Sequence, residues 1–124
     1  MPRNRLHHIT AAVGLSSLLV AASVHAAGPI RIGVPVGLSG ANSVVAPSVV
    51  QSAQLAVEEI NAAGGILGRK VELEVADDGS GAVGAQKAFD SLVFQKKADV
   101  LISMETSAAR NAGLPILARG KNPA

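Results

Sequence analysis

One run of twenty residues, QSAQLAVEEINAAGGILGRK at 51–70, constrains the fold of this chain more than any other stretch. Ala53, Ala56, Val57 and Ile60 recur at i, i+3, i+4 and i+7, which is one face of a helix with 3.6 residues per turn. Glu58 and Glu59 fall off that face, where they can stay in water. Gly64 and Gly65 follow at once, and glycine readily takes the left-handed conformation that closes a helix C-terminus. An apolar, strand-like run precedes the helix at 30–36 and another follows it at 71–76. The order β-α-β predicts parallel strands joined by a right-handed crossover.

The rest of the chain repeats the pattern. Val71, Leu73 and Val75 alternate with Glu72 and Glu74, as in a half-buried strand near a sheet edge. Ala85, Ala88, Phe89, Leu92 and Val93 mark a second helix over about 83–96. A short third strand is expected at 99–103 and a third helix over 108–119, in which Pro115 either kinks the helix or splits it. Pro35 cannot donate to a ladder, so the first strand is expected to end there. The long helix opens between Ser43 and Gln51, with Pro47 and Ser48 suited to its first turn. The fold class is therefore α/β, a doubly wound parallel sheet. Its core must be aliphatic, because 48% of the chain is hydrophobic yet it holds no Trp, no Tyr and two Phe.

Residues 1–26 read as a secretory signal peptide. Arg3 and Arg5 supply the positive start, 9–22 the apolar run, and Val24-His25-Ala26 the small residues of a cleavage site, with cleavage after Ala27 as the alternative. The apolar run is short for a membrane span, which needs about 20 residues. With no Cys at the junction, a lipid anchor is not expected. His7, His8 and His25 all lie in this leader. Removing Arg3 and Arg5 leaves nine basic residues against nine acidic ones, so the formal charge of +2 makes no case for nucleic acid.

In an open parallel sheet, ligands sit at the carboxyl ends of the strands where strand order reverses. The expected order 2-1-3 puts that point between strands 1 and 3, at the loops 37–43 and 103–107. Both loops are rich in small hydroxyl residues and lead into helices whose free amides can hold an anion. Adjacent residues at a strand end point opposite ways, so Asp77-Asp78 reads as turn formation and helix capping rather than as a metal or acid/base pair. Gly33, Gly37 and Gly40 have the wrong spacing for a dinucleotide fingerprint, and no phosphate loop, nucleophile elbow or metal-ligand cluster is present. No cofactor, no metal and no catalytic residue is expected.

IRIGVPVGLSG followed by QLAVEEINAAGGILGRKVELEVADD resembles the opening of a type I periplasmic solute-binding protein. The similar group is the branched-chain amino acid, amide and urea binders that feed ABC transporters, and the resemblance covers 30–123. It implies a two-lobed receptor, of which 27–124 would be the first part of lobe 1, continuing beyond Ala124. It implies capture of a small polar solute for an inner-membrane permease, by hinge closure and without covalent chemistry. Aligned on Ser-x-x-Arg, Ser107 matches the serine that holds a ligand carboxylate or amide, with Thr106 and Glu105 flanking it. Ser39 matches the first-loop serine near the cleft. From the residues alone, the alternative for Ser107 is a helix N-cap, a role that can coexist with ligand contact, and for Ser39 an ordinary turn residue. Glu105 faces either a ligand ammonium or amide, or solvent. The rival functions are a periplasmic ligand sensor on the same fold and an exported α/β enzyme.

Overall fold

The crossover predicted around 51–70 organises the molecule. The computed structural model describes residues 28–104 and 106–120; the leader expected at 1–26 and Glu105 lie outside the described residues. Strand β1 (Ile30–Val36) leads through a 3₁₀ turn (Gly40–Asn42) into helix α1 (Ala46–Ala62). Strand β2 (Val71–Asp77), helix α2 (Ala82–Asp90) and a π-helical turn (Ser91–Gln95) follow. Strand β3 (Val100–Leu101) and helix α3 (Ser107–Gly120) complete the order. The three strands are parallel in the order β2-β1-β3, as the sequence implied.

Helix α1 opens with Pro47 in its first turn and ends in a Schellman cap. The Gly65 N–H donates to the Ile60 carbonyl and that of Gly64 to the Asn61 carbonyl, with φ of +81° and +103° at the two glycines. Asn61 then ties the helix end to the next strand. Its side-chain amide donates to the Val71 carbonyl and accepts the Val71 N–H, both at 2.8 Å.

Pro35 remains inside β1, and the ladder shows why. Ile30 and Val36 bond β2 through their backbone groups, whereas Arg31 and Gly33 bond the β3 side. Pro35 shares the parity of Arg31 and Gly33, so its missing N–H costs β2 nothing. It removes the next rung toward β3, and that ladder stops at the Ile102 N–H to Gly33 carbonyl bond. Strand β3 is accordingly shorter than the 99–103 expected. The second helix is also revised: α2 ends at Asp90 and passes into the π-helical turn rather than running regularly to Lys96. Pro115 does not split α3, which is one helix to Gly120. Pro115 and Asn111, whose carbonyl loses its partner, are both exposed, so that side of the helix is open to solvent.

Side-chain alternation along β1 sends Ile32, Val34 and Val36 to the α1 face, where they join Val49, Val50, Leu73 and Val75. The other face is covered by α2, the π-helical turn and α3, with Phe89, Leu92, Leu101, Ile116 and Leu117 at its centre. Helix α3 crosses close at Gly113, where a Cβ would come within 2.5 Å of the Phe89 ring. With helices on both faces the sheet is doubly wound.

Candidate functional site

Because β2 lies on one side of β1 and β3 on the other, the chain leaves β1 and β3 in opposite directions, and a crevice opens between their loops. On the first side, Leu38 turns back onto the Val36 carbonyl and the 3₁₀ turn delivers Asn42 and Val45 to the rim. On the third side, Met104 and Thr106 bring the chain into α3. Between them lies a recess of about 260 Å³, with Val36, Val45, Val49 and Met104 as apolar wall and Asn42 and Thr106 as polar groups.

The two helix N-termini at this crevice differ in what they can hold. In α1, Pro47 has no N–H and the Ser48 N–H already bonds the Val45 carbonyl, so its first turn has little to offer an anion. This corrects the expectation that both helices present free amides. In α3, Thr106 is the cap: its Oγ1 accepts the Ala109 N–H at 3.2 Å and its carbonyl accepts the Arg110 N–H. The helix begins at Ser107, one residue earlier than expected. The amides of Ser107 and Ala108 precede the first intrahelical bond and make no hydrogen bond among the described residues. The Ser107 side chain is exposed and makes no hydrogen bond among the described residues.

Of the residues singled out from the sequence, Thr106 lines the recess and Ser107 stands beside it in the first turn of α3. Ser39 is turned the other way. Its N–H donates to Asp77 Oδ1 at 3.1 Å and its carbonyl accepts from Ser80 Oγ at 2.8 Å, which fastens it to the loop after β2. Glu105 lies outside the described residues. Sequence reasoning missed Asn42, Val45 and Met104; the loops 37–43 and 103–107 already contained or bordered all three, but only the folded crevice selects which side chains face it.

Asp77 and Asp78 diverge at the end of β2. Asp77 is exposed and its Oδ1 also accepts the Gly79 N–H at 2.9 Å. That bond, joined by the Ser39 hydroxyl and amide, holds its carboxyl below the ordinary carboxylate range. Asp78 is fully buried, and its Oδ1 accepts the Ser80 N–H at 2.6 Å. Both carboxylates build turns, as expected, but neither caps α2, whose cap is Gly81 with no side-chain bond.

The family model for periplasmic binding proteins matches residues 29–124. The chain belongs to the periplasmic binding protein family. It is 47% identical over 64 residues to the Leu/Ile/Val-binding protein BraC3 of Rhizobium johnstonii, covering 52% of this chain and 17% of that protein. It is 37% identical over 91 residues to an amino acid binding protein of Pseudomonas aeruginosa, covering 73% of this chain and 24% of the relative. Among solved structures, the branched-chain amino acid transporter substrate-binding protein LivJ of Streptococcus pneumoniae, in complex with isoleucine, superposes with a TM-score of 0.71 at 34% identity. That match covers 77% of this chain and 27% of LivJ. The chain thus spans about a quarter or less of the length of these members of the family. The two relatives carry the names of a Leu/Ile/Val-binding and an amino acid binding protein, and the structural neighbours include substrate-binding proteins of branched-chain amino acid transport.

Proposed function

We propose that this chain supplies one wall of a receptor for an aliphatic amino acid, with the ligand carboxylate at the start of α3 and its side chain in the apolar recess. The observation that carries the reading is the pairing of two unlike surfaces in one crevice. The free amides of Ser107 and Ala108, with the Ser107 hydroxyl, suit a carboxylate. Val45, Val49 and Met104 suit an aliphatic side chain. Urea or a small amide would leave that apolar wall unused. The names of the relatives, for Leu, Ile and Val or with isoleucine bound, support the same ligand class.

On this reading Thr106 positions the helix start and Ser107 touches the ligand, while Ser39 supports the first loop. Residues 1–26 direct export and are removed, and 27–124 belong to the first lobe. A second lobe closes over the crevice by hinge motion, and the loaded receptor delivers its ligand from the periplasm to the inner-membrane permease of an ABC transporter. The test is calorimetry of the full-length protein with L-leucine, L-isoleucine, L-valine and urea. The aliphatic amino acids should bind and urea should not; the reverse ranking would overturn the ligand class. Ser107→Ala should weaken L-isoleucine binding by about 1–3 kcal/mol, because a desolvated carboxylate loses a donor. Unchanged affinity would remove Ser107 from the site.

A further inference from the structure

Ser80 sits in a backbone conformation that its own side chain penalises. Its φ is +58°, in the left-handed region that non-glycine residues seldom adopt. Glycine would fit that conformation better, and the residues on either side, Gly79 and Gly81, are glycines. Such backbone outliers persist where the surroundings over-determine them, and they concentrate at functional positions. What serine supplies and glycine cannot is the hydroxyl.

That hydroxyl spans the turn after β1. Ser80 Oγ donates to the Ser39 carbonyl at 2.8 Å and accepts the Asn42 N–H at 3.0 Å, so one atom holds both ends of the 3₁₀ turn. Asp77 Oδ1 adds the Ser39 N–H, and buried Asp78 fixes Ser80 itself through its N–H. The first loop is shaped to receive this contact. A Cβ on Gly37 would collide with Ser80 Oγ, and one on Gly40 would come within 2.5 Å of the Gly79 carbonyl oxygen. Ser80 and Asp77 do not line the recess between β1 and β3, but Gly37 and Asn42 do.

We propose that Ser80, aided by Asp77, is a positioning residue for ligand binding: a latch from the loop after β2 that holds the Ser39–Asn42 turn, and with it one wall of the recess, in its ligand-ready form. The proposal rests on the reading of the recess as an amino acid site. Without the latch, the Ser39 carbonyl and the Asn42 amide turn to water. The wall must then be ordered when ligand arrives, and that ordering is charged against binding.

The experiment is Ser80→Gly in the full-length protein, read by thermal unfolding, L-isoleucine calorimetry and amide hydrogen exchange at Asn42. Glycine accepts the positive φ, so the midpoint of unfolding should hold or rise. Exchange at Asn42 should quicken in the unliganded protein. If the ready conformer falls to about a tenth of the molecules, apparent affinity falls about tenfold. A purely structural residue would not lower affinity while stability is kept. Ser80→Ala, which loses the hydroxyl and keeps the strain, should lose affinity and stability together. Unchanged affinity and unchanged Asn42 exchange in Ser80→Gly would overturn the latch while leaving the amino acid reading intact. A wild-type protein that binds none of L-leucine, L-isoleucine and L-valine would overturn both.

Discussion

On the α2 and α3 side of the sheet, Phe89, Leu92 and Val93 are at most 5% exposed, and Ile116 and Leu117 close over them. On the α1 side, a helix of 17 residues buries only Ala46. A groove of about 540 Å³ runs there between α1 and the sheet, floored by Ile32, Val34 and Leu73 and walled by Val57 and Ile60. Ile102 and Met104 are more than half exposed at its edge. Both helices carry an apolar stripe of comparable length in the sequence. The difference is a second helix: α2 has α3 beside it, joined through the close crossing at Gly113, whereas α1 lies alone on its face among the described residues. An apolar stripe states which face of a helix seeks cover, and its neighbours decide how much cover it gets.

Substitutions on the two faces put that contrast to the test. Phe89→Ala should cost about 3–5 kcal/mol in denaturant unfolding, as expected for an aromatic ring removed from a closed core. A loss under about 1 kcal/mol would show that the α2 face is looser than its packing implies. Val57→Ala on the open face should cost about 1 kcal/mol or less, since its side chain is only half-buried and the groove is open to solvent. A cost matching that of Phe89→Ala would mean that the α1 face is covered in solution and that the contrast fails.

The smallest effect belongs to the loop that separates the two faces. The Asp77 carboxyl is held below its ordinary value, chiefly by the Gly79 N–H and then by Ser39, so its contribution to stability is present above the unfolded-state value of about 4. It is lost as pH falls from there through the lower folded-state value. Asp77→Asn should therefore lower stability slightly at neutral pH and flatten the profile below about pH 4, where variant and wild type converge. An acid limb identical in the variant and the wild type would show that the Asp77 turn adds nothing to stability.

Much of the fold was legible because its signals are local. The stripe Ala53, Ala56, Val57 and Ile60 with Gly64-Gly65 behind it marked both the helix and its stop, since periodicity and left-handed φ are properties of neighbouring residues. The switch point followed from element order alone. The candidate site was legible as two loops but not as a set of side chains. Ser39 and Ser107 look alike in the sequence, each a small hydroxyl in a βα loop. The fold turns Ser39 toward Asp77 and Ser80, and frees Ser107 by giving the cap to Thr106. The choice at Ser39 depends on contacts between residues about 40 positions apart, such as Ser80 with Ser39 and Asn42, whereas the choice at Ser107 rests on which of two adjacent hydroxyls reaches the Ala109 N–H.

By itself the sequence determined the α/β class and the 2-1-3 order of parallel strands, because patterning and chain order constrain these before any two elements touch, and the family was legible only through its resemblance over 30–123. Tertiary structure alone decided that β3 stops opposite Pro35, that Ser80 keeps a strained backbone to hold the first loop, and that one apolar helix face is closed while the other stands open. Each of these outcomes turns on which backbone or side-chain groups meet across the sheet, and that meeting has no counterpart in local sequence.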